Sequence, residues 1–433
     1  KDFIFKLTYS TDWLSNVKTE SQCVAINGIP GNDMIHSLKR DTSGGHLFPG
    51  MKLKYMSEID ENIYMVSPAV QERIDYIEDQ YCKGHRVGIL FDGTLKDEAI
   101  TLAKRAEGKT RVFTACDMAF SIVVRKQYIR ITEAIMRSNF ISECAAGMDH
   151  YRAWPALYKY LTRFGDNCIV AGDYSSFDKC MPPILIERAF YIMDYLRNLV
   201  CPLSTKDILI SRGIATDVAF PITNLNGDLF QFFGGNSSGH PLTVIINSLV
   251  NSLYVRYVYY NSDRAFGSFL DNVRLMTLGD DNIFGSNDPT FNHTSLADGL
   301  AKLEIKYTMA DKESESVPFL NIEEVDFLKR KFRHLHGMCV APIAMDSITR
   351  SLLIFTNHDI ISEEERLANT YLSARREWAL HGQNTFEIMT SRMDIIFNKY
   401  PQIQRFFINK HKLSFIDTLR WCYEDDDKQK IVL

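Results

Sequence analysis

No CxxC pair occurs among the nine cysteines (23, 82, 116, 144, 168, 180, 201, 339 and 422), and their number is odd. That excludes a zinc ribbon and a disulfide framework, and points to a reducing cytosolic compartment. Long apolar runs are missing as well. The longest stretch without Asp, Glu, Lys or Arg, Leu229 to Val255, contains Gln231, Asn236, His240, Asn247 and Asn251 with three glycines and a proline. So many polar groups could not be left in hydrocarbon, and neither a transmembrane helix nor a signal peptide is expected. Internal repeats, low-complexity tracts and Ser/Gly/Pro linkers are absent, so one body with lobes is expected rather than beads on a string. Positive charge is also scarce: 49 Lys and Arg against 54 Asp and Glu leave a net charge of -5. A protein that binds polyanions over its whole surface is excluded, and any nucleic-acid site must be a local basic channel.

What is present is ordinary globular material, 45% hydrophobic, 24% charged and 12% aromatic, in a chain long enough for two or three domains or lobes. The first residue is Lys, which suggests a processed or trimmed chain. Residues 87–91 read as a strand, and the apolar spacing of Tyr128, Ile129, Ile131, Ile135, Met136 and Phe140 predicts a helix over 125–140. A buried strand is expected at 167–173, a helix from Pro182-Pro183 to about Val200, and another over 242–260 after Pro241. Between those helices, 208–233 has the composition of strands. Two apolar runs, 273–278 and 282–284, flank Gly279-Asp280-Asp281 and predict a hairpin. The last hundred residues read as mostly helical: Ser362 with Glu365 forms a capping-box pattern, Gly382 is a helix stop, and a second helix follows over 386–400 before Pro401.

Four segments carry chemistry. Asp173-Tyr-Ser-Ser-Phe-Asp178 ends a buried strand in two acids, and the Gly279-Asp280-Asp281 turn presents two more. A hard divalent cation takes a few carboxylate oxygens at about 2.1 Å and fills its remaining positions with substrate phosphates. An Asp-rich turn alone would be unremarkable; its setting between two apolar strands is the signal. Gly234-Gly235-Asn236-Ser237-Ser238-Gly239-His240-Pro241 feeds a helix on which Thr243 and Asn247 share a face, so the backbone can approach a ligand while hydroxyls and an amide contact it. Residues 96–111 hold Lys96, Lys104, Arg105, Lys109 and Arg111 against three acids, enough to clamp a triphosphate, although a solvated charged face would look similar. Finally, 327–333 alternate apolar and basic residues, including Lys329 and Arg330, as a strand gripping a nucleic-acid backbone or a Lys-guarded edge strand would.

The order of these segments (basic stretch, DxxxxD, SGxxxTxxxN, GDD, Ala310-Asp311-Lys312, Phe327-Leu328-Lys329-Arg330) resembles the RNA-dependent RNA polymerases of positive-strand RNA viruses, most of all the picornavirus-like group. The resemblance covers about residues 42–333. It implies an α+β right-hand fold: fingers at 1–130 and 219–236, palm at 131–218 and 237–336 with an antiparallel sheet flanked by helices, and a helical thumb at 337–433. It further implies that Asp173, Asp280 and Asp281 hold two Mg²⁺ ions, with Mn²⁺ able to substitute, and that Lys312 is the general acid for pyrophosphate. Asp178, Ser238 and Asn247 would sense the ribose, joined in nucleotide binding by Thr243, Lys96, Lys104, Lys109 and Arg111. Thr42, Ser43, Gly239, Lys329 and Arg330 would contact RNA. The implied partners are template and primer RNA, NTPs, a viral protein primer and other replicase proteins, which would bring the enzyme to membrane-bound replication complexes in the host cytoplasm.

Two features depart from the group. Leu278 stands where Tyr usually precedes GDD, and only 41 residues precede Thr42, so part of the segment bridging fingers to thumb is expected to be missing. A reverse transcriptase would share the palm carboxylates, but Asp178 and Asn247 stand where it normally has a bulky aromatic. An inactive RNA-binding scaffold would have no need of all three acids.

Overall fold

The computed structural model describes residues 1–310, 314–354, 361–407 and 410–424. In chain order its main elements begin with helix α1 (Asp2–Thr8), the hairpin β1 (Met56–Asp60) and β2 (Ile63–Val66), helix α2 (Pro68–Cys82), strands β3 (Leu90–Leu95) and β4 (Val112–Cys116), and helices α3 (Met118–Arg137) and α4 (Trp154–Leu161). Next come β5 (Ile169–Tyr174), α5 (Pro183–Val200), α6 (Thr205–Ala219), β6 (Ile222–Leu225), β7 (Asp228–Gln231) and α7 (Thr243–Tyr260). The hairpin β8 (Val273–Leu278) and β9 (Asp281–Ser286), α8 (His293–Ala301) and β10 (Tyr307–Met309) complete the centre, and α9 (Glu363–Leu380), α10 (Gln383–Lys399) and α11 (Phe415–Glu424) form the C-terminal part.

Two four-stranded sheets organise the chain. One has the order β4-β3-β6-β7, so residues 222–231 leave their sequence neighbours to join the N-terminal region. The other, β10-β5-β9-β8, is wholly antiparallel. Helix α7 packs across this second sheet through fully buried Ile245, Ile246, Leu249 and Val250, and the C-terminal helices gather round a separate core of Tyr371, Trp378, Phe397 and Phe407.

Most expected elements are present, including both proline-started helices and the 273–284 hairpin. Three expectations are corrected. The strand expected at 87–91 begins at Leu90 and runs to Leu95. Residues 205–219 are helical: Ser204 and Asp207 close a capping box, and Ile210, Ile214 and Val218, four apart, form its buried face. Residues 327–333 are not one strand. Asp326–Phe327 pairs with Arg330–Lys331 in a tight hairpin, with Leu328 and Lys329 both at positive φ, 57° and 62°. Two successive non-glycine residues there cost about 1–3 kcal/mol each, and the surroundings must hold them in place.

A buried ionic knot ties α1 to the centre. Glu143, itself at φ 59°, accepts from Arg256 at 2.6 and 2.8 Å, from Lys6 at 2.8 Å and from Ser252 at 3.1 Å; Arg256 also reaches Asp2 at 3.0 Å. Burial alone would raise the Glu143 carboxyl pKa, but the charges of Arg256 and Lys6 hold it down to about 2. The carboxyl is therefore depressed when folded. Its stabilisation should be complete above the ordinary value of 4.5 and be lost as pH falls from there towards 2. Glu143→Gln, which leaves buried Arg256 and half-buried Lys6 short of a counter-charge, is expected to cost about 3–5 kcal/mol in denaturant unfolding at neutral pH, and much less at pH 3.

Candidate active site

Register puts the acids together. Pairing of β5 with β9 runs from Ile169↔Gly285 to Gly172↔Asn282, so the next step brings Asp173 beside Asp281 at the strand ends, where neighbouring strands lie about 4.8 Å apart. Gly279 and Asp280 form the two-residue turn between Leu278 and Asp281. Gly279 takes φ 63°, which a side chain would resist and which explains glycine at the first turn position. Half-buried Leu278 packs against two core clusters.

The turn is held from helix α7 by residues that the sequence reading did not single out. Gly279 N–H donates to Ser248 Oγ at 2.9 Å. The Asn251 amide donates to the carbonyls of Gly279, Asp280 and Asp281 at 3.1, 3.0 and 3.3 Å, and its oxygen accepts from Tyr174 at 3.1 Å and Asn282 at 3.2 Å. Tyr307 donates to Asn282 at 2.8 Å. Ser248, Asn251 and Asn282 are buried, so these bonds are made in a low-dielectric interior. The available signal was a polar stripe, Asn247-Ser248 and Asn251-Ser252, in an otherwise apolar helix.

Behind the turn, the Glu143 carbonyl accepts from both the N–H and the hydroxyl of Thr277 at 2.8 Å. The ionic knot around Glu143 is thereby joined to β8, the strand that leads into the acidic turn.

Asp173 and Asp281 line a cavity of about 1200 Å³ together with Lys109, Arg111, Lys329 and Arg333. Arg111 Nε donates to Glu98 Oε1 at 2.6 Å, and a second N–H of Arg111 meets Oε2. That bidentate contact holds the Glu98 carboxyl down to about 2. The Arg111 pKa is raised chiefly by the Glu98 bond, with smaller contributions from the charges of Asp178 and Asp280, which places the guanidinium within the electrostatic reach of both acids. Lys109 pairs with Glu107 at 2.5 Å and Lys96 with Glu98 at 3.4 Å. Lys312 and the side chain of Lys104 lie outside the described residues.

The glycine-rich loop links the remaining polar residues. The carbonyl of exposed Asp178 accepts from Asn236 N–H at 2.7 Å, and the Asn236 side chain donates to Asn247 Oδ1 at 2.7 Å. His240 Nδ1 accepts from Leu242 N–H at 3.2 Å, so the other ring nitrogen, Nε2, carries the proton and donates to Asn236 Oδ1 at 2.8 Å. Burial lowers the His240 pKa to about 3, keeping that donor neutral and fixed. The Asn247 oxygen is thus occupied and its amide N–H groups are its remaining donors. Ser238 Oγ accepts from Thr114 N–H at 3.0 Å, tying the loop to β4. A Cβ on Gly239 would lie 2.2 Å from Thr114 O, so glycine there permits the loop to touch the strand.

Several expected contacts are already committed within the protein. The Thr243 hydroxyl donates to the carbonyls of Ser237 and His240 at 2.8 and 3.0 Å, which fastens the loop to α7. Arg330 does not stand open to a nucleic acid: it makes a two-pronged contact with Glu377 at 2.8 and 2.9 Å and donates to Ala341 O at 2.6 Å. Against the upward pull of burial, bonds from His150 and Arg330 hold Glu377 down to about 2. Lys329, in contrast, is exposed. Thr42 accepts from Lys52 at 2.6 Å, and the Ser43 hydroxyl accepts from Gly45 N–H at 3.1 Å, in a loop docked on the start of α3.

The donor set suits a hard oxygen-seeking cation. Among the described residues no three His, Cys, Asp or Glu side chains are gathered closely enough to cage a metal by themselves. Mg²⁺ shared between a pair of carboxylates and substrate phosphates fits such an open arrangement. Among the described residues no helix is long and apolar enough to cross a membrane.

Similarity to known proteins agrees with this geometry. The chain is 28% identical over 416 residues to the replicase polyprotein of Cricket paralysis virus, 88% of this chain and 23% of that one. It is 32% identical over 329 residues to the RNA1 polyprotein of Cherry rasp leaf virus, 71% of this chain and 14% of that one, and 29% identical over 325 residues to the genome polyprotein of human hepatitis A virus, 71% and 14%. It therefore spans less than a quarter of these relatives' length. Among solved structures, a Sicinivirus 3Dpol RNA dependent RNA polymerase shares the fold with a TM-score of 0.74 at 18% identity, over 95% of this chain and 85% of that one, which makes the α+β architecture the right-hand polymerase fold. The family model for viral RNA-dependent RNA polymerase matches residues 5–385, and the chain belongs to that family.

Proposed function

We propose that this chain copies RNA by template-directed transfer of ribonucleotides to an RNA 3′ hydroxyl, with release of pyrophosphate. The observation that carries the reading is the strand register that sets Asp173 beside Asp281 in the lining of a cavity that also holds Lys109, Arg111, Lys329 and Arg333. In the hand, residues 1–130 and 219–236 serve as fingers, 131–218 and 237–336 as palm, and 337–433 as thumb; the shared sheet of β3, β4, β6 and β7 supports placing the insertion with the fingers.

Asp173, Asp280 and Asp281 would hold two Mg²⁺ ions, with Mn²⁺ as a substitute; when bound, the metals supply activation of the hydroxyl and neutralisation of phosphate charge. Around them the chain's own groups position the substrate. Arg111, Lys109, Lys96 and Lys104 take the triphosphate, for which Arg111 exchanges its contact with Glu98 for phosphate oxygens of like geometry. Lys312 donates a proton to the leaving pyrophosphate. Lys329 meets the growing strand, and Thr42 and Ser43 the entering template. A viral protein primer, other replicase proteins and membrane-bound replication sites in the host cytoplasm complete the proposal.

Ribose selection follows from the loop. His240 orients Asn236, Asn236 fixes the Asn247 oxygen, and the Asn247 amide is left to donate to a 2′ hydroxyl, with Asp178 as the acceptor and Ser238 beside them. A deoxyribose leaves these groups unpaired, at about 1–3 kcal/mol. Asn247→Ala is accordingly expected to lower the ratio of ribo- to deoxynucleotide incorporation by roughly 5- to 150-fold. A wild-type preference for deoxynucleotides would instead favour a reverse transcriptase.

A further inference from the structure

A second cavity, of about 870 Å³, lies where α1, α4 and the start of β8 meet. It shares no lining residue with the catalytic cavity. Arg274 lies at its edge, four residues before Leu278, about 13 Å along the strand from the turn. Five cations line it, Lys6, Arg152, Lys159, Arg163 and Arg274, and no acid does. Lys6 is committed to Glu143 at 2.8 Å and Arg152 lies 3.7 Å from Asp149. Lys159, in the last turn of α4, and Arg163, in the short 3-10 turn that follows it, are both exposed, and neither forms an ion pair among the described residues. One Arg274 nitrogen donates to the carbonyls of Leu270 and, at 3.0 Å, Val273, and the guanidinium lies 5.1 Å from the Phe164 ring; burial lowers its pKa and the charge of Arg163 acts in the same direction, against Tyr160, Asp271 and Glu143. Lys6 and Arg152 thus have acidic partners, and it is Lys159 and Arg163, like charges exposed at a concave surface, that favour an anion there.

The rim has a second unusual property. Phe5 and Tyr9 are 56% and 84% exposed and meet edge to face at 6.5 Å, with Tyr160 also in the lining. Cations interleaved with exposed aromatic faces suit a strand that carries phosphates and stackable bases. An acidic peptide would use the cations but would have little need of stacking surfaces.

We propose that this groove binds single-stranded RNA outside the catalytic cavity, with Lys159, Arg163 and Arg274 contacting phosphates and the Phe5–Tyr9 pair stacking on bases. Only the substrate class is taken from the polymerase reading; no metal or catalytic acid is involved.

The test uses the full chain loaded with a self-priming RNA, so that the catalytic channel is filled, and measures anisotropy of a second labelled oligoribonucleotide across a salt series. Lys159→Glu with Arg163→Glu should weaken this binding and make the slope of log affinity against log salt shallower by roughly 0.7 per cation lost, about 1.4 in all. Tyr9→Ala should weaken it roughly 5-fold or more with little change in slope, because stacking releases no counter-ions. Elongation by preassembled complexes should be unchanged in all three substitutions. Unaltered affinity and slope would overturn the proposal, as would displacement of the RNA by neither competitor RNA nor salt but by polyglutamate. A parallel fall in elongation would show that the groove belongs to the catalytic path. Salt-dependent binding by a wild-type chain that extends no primer would sink the polymerase reading and leave the groove standing.

Discussion

Asp280→Asn is expected to slow nucleotide addition on the order of a thousand-fold or more while leaving RNA affinity within about two-fold. The two side chains have nearly the same shape, so the turn built on Gly279 and gripped by Asn251 should persist. The amide, however, offers a neutral oxygen where a metal-binding carboxylate is needed, and the loss should fall on chemistry. On the proposed reading RNA would be held mostly by phosphate contacts with the lysines and arginines of the cavity, which the change does not touch. Single-turnover extension from preassembled complexes, with filter binding on the same preparations, separates the two effects. Extension at the wild-type rate would remove Asp280 from the metal site.

The second large effect is expected from a residue that touches neither metal nor substrate. Asn251→Leu keeps the approximate volume but strips the carbonyls of Gly279, Asp280 and Asp281 of a shared donor and leaves Tyr174 and Asn282 without their acceptor. Groups that orient metal-binding side chains typically carry 10–100-fold in activity or metal affinity. We therefore expect a 10- to 100-fold fall in kcat together with a higher Mg²⁺ concentration for half-maximal rate, at unchanged RNA affinity. A simple loss of stability would lower the folded fraction and leave the Mg²⁺ dependence of the surviving enzyme alone, so the metal titration discriminates between the two. An unchanged Mg²⁺ midpoint would reduce Asn251 to a packing residue.

The legible parts of the chain are those specified locally. Gly279-Asp280-Asp281 could be read because a turn needing positive φ falls between two apolar strands, and the helices at 183–200 and 243–260 because proline opens the first and stands just ahead of the second. The helix at 205–219 was hidden by its own composition: Ile208, Ile210, Ile214 and Val218 have β-branched side chains that suggest strand, whereas the capping box at Ser204 and the four-residue spacing of the buried side chains carry the outcome. Nothing at Leu328-Lys329 announces a tight turn, since neither residue is one that usually accepts positive φ.

Roles were harder to read than elements wherever a partner comes from far along the chain. Arg330 looks like a strand-gripping cation until Glu377, 47 residues later, is found across from it. Asn236 looks like loop filler until His240 and Asn247 are seen on either side of its amide. The overall acidity of the chain, which excludes a generally basic surface, gave no hint of where its cations collect.

The central claim is that this carboxylate site copies an RNA template with ribonucleotides. Its most direct test is extension of a self-priming RNA by the wild-type chain in Mg²⁺, offering one labelled nucleotide at a time while the first templating base is varied. The account predicts addition of only the complementary ribonucleotide, a switch of nucleotide whenever the templating base is switched, and much slower use of the matching deoxynucleotide. Addition that ignores the templating base, a preference for the deoxy form, or no addition at all would contradict it.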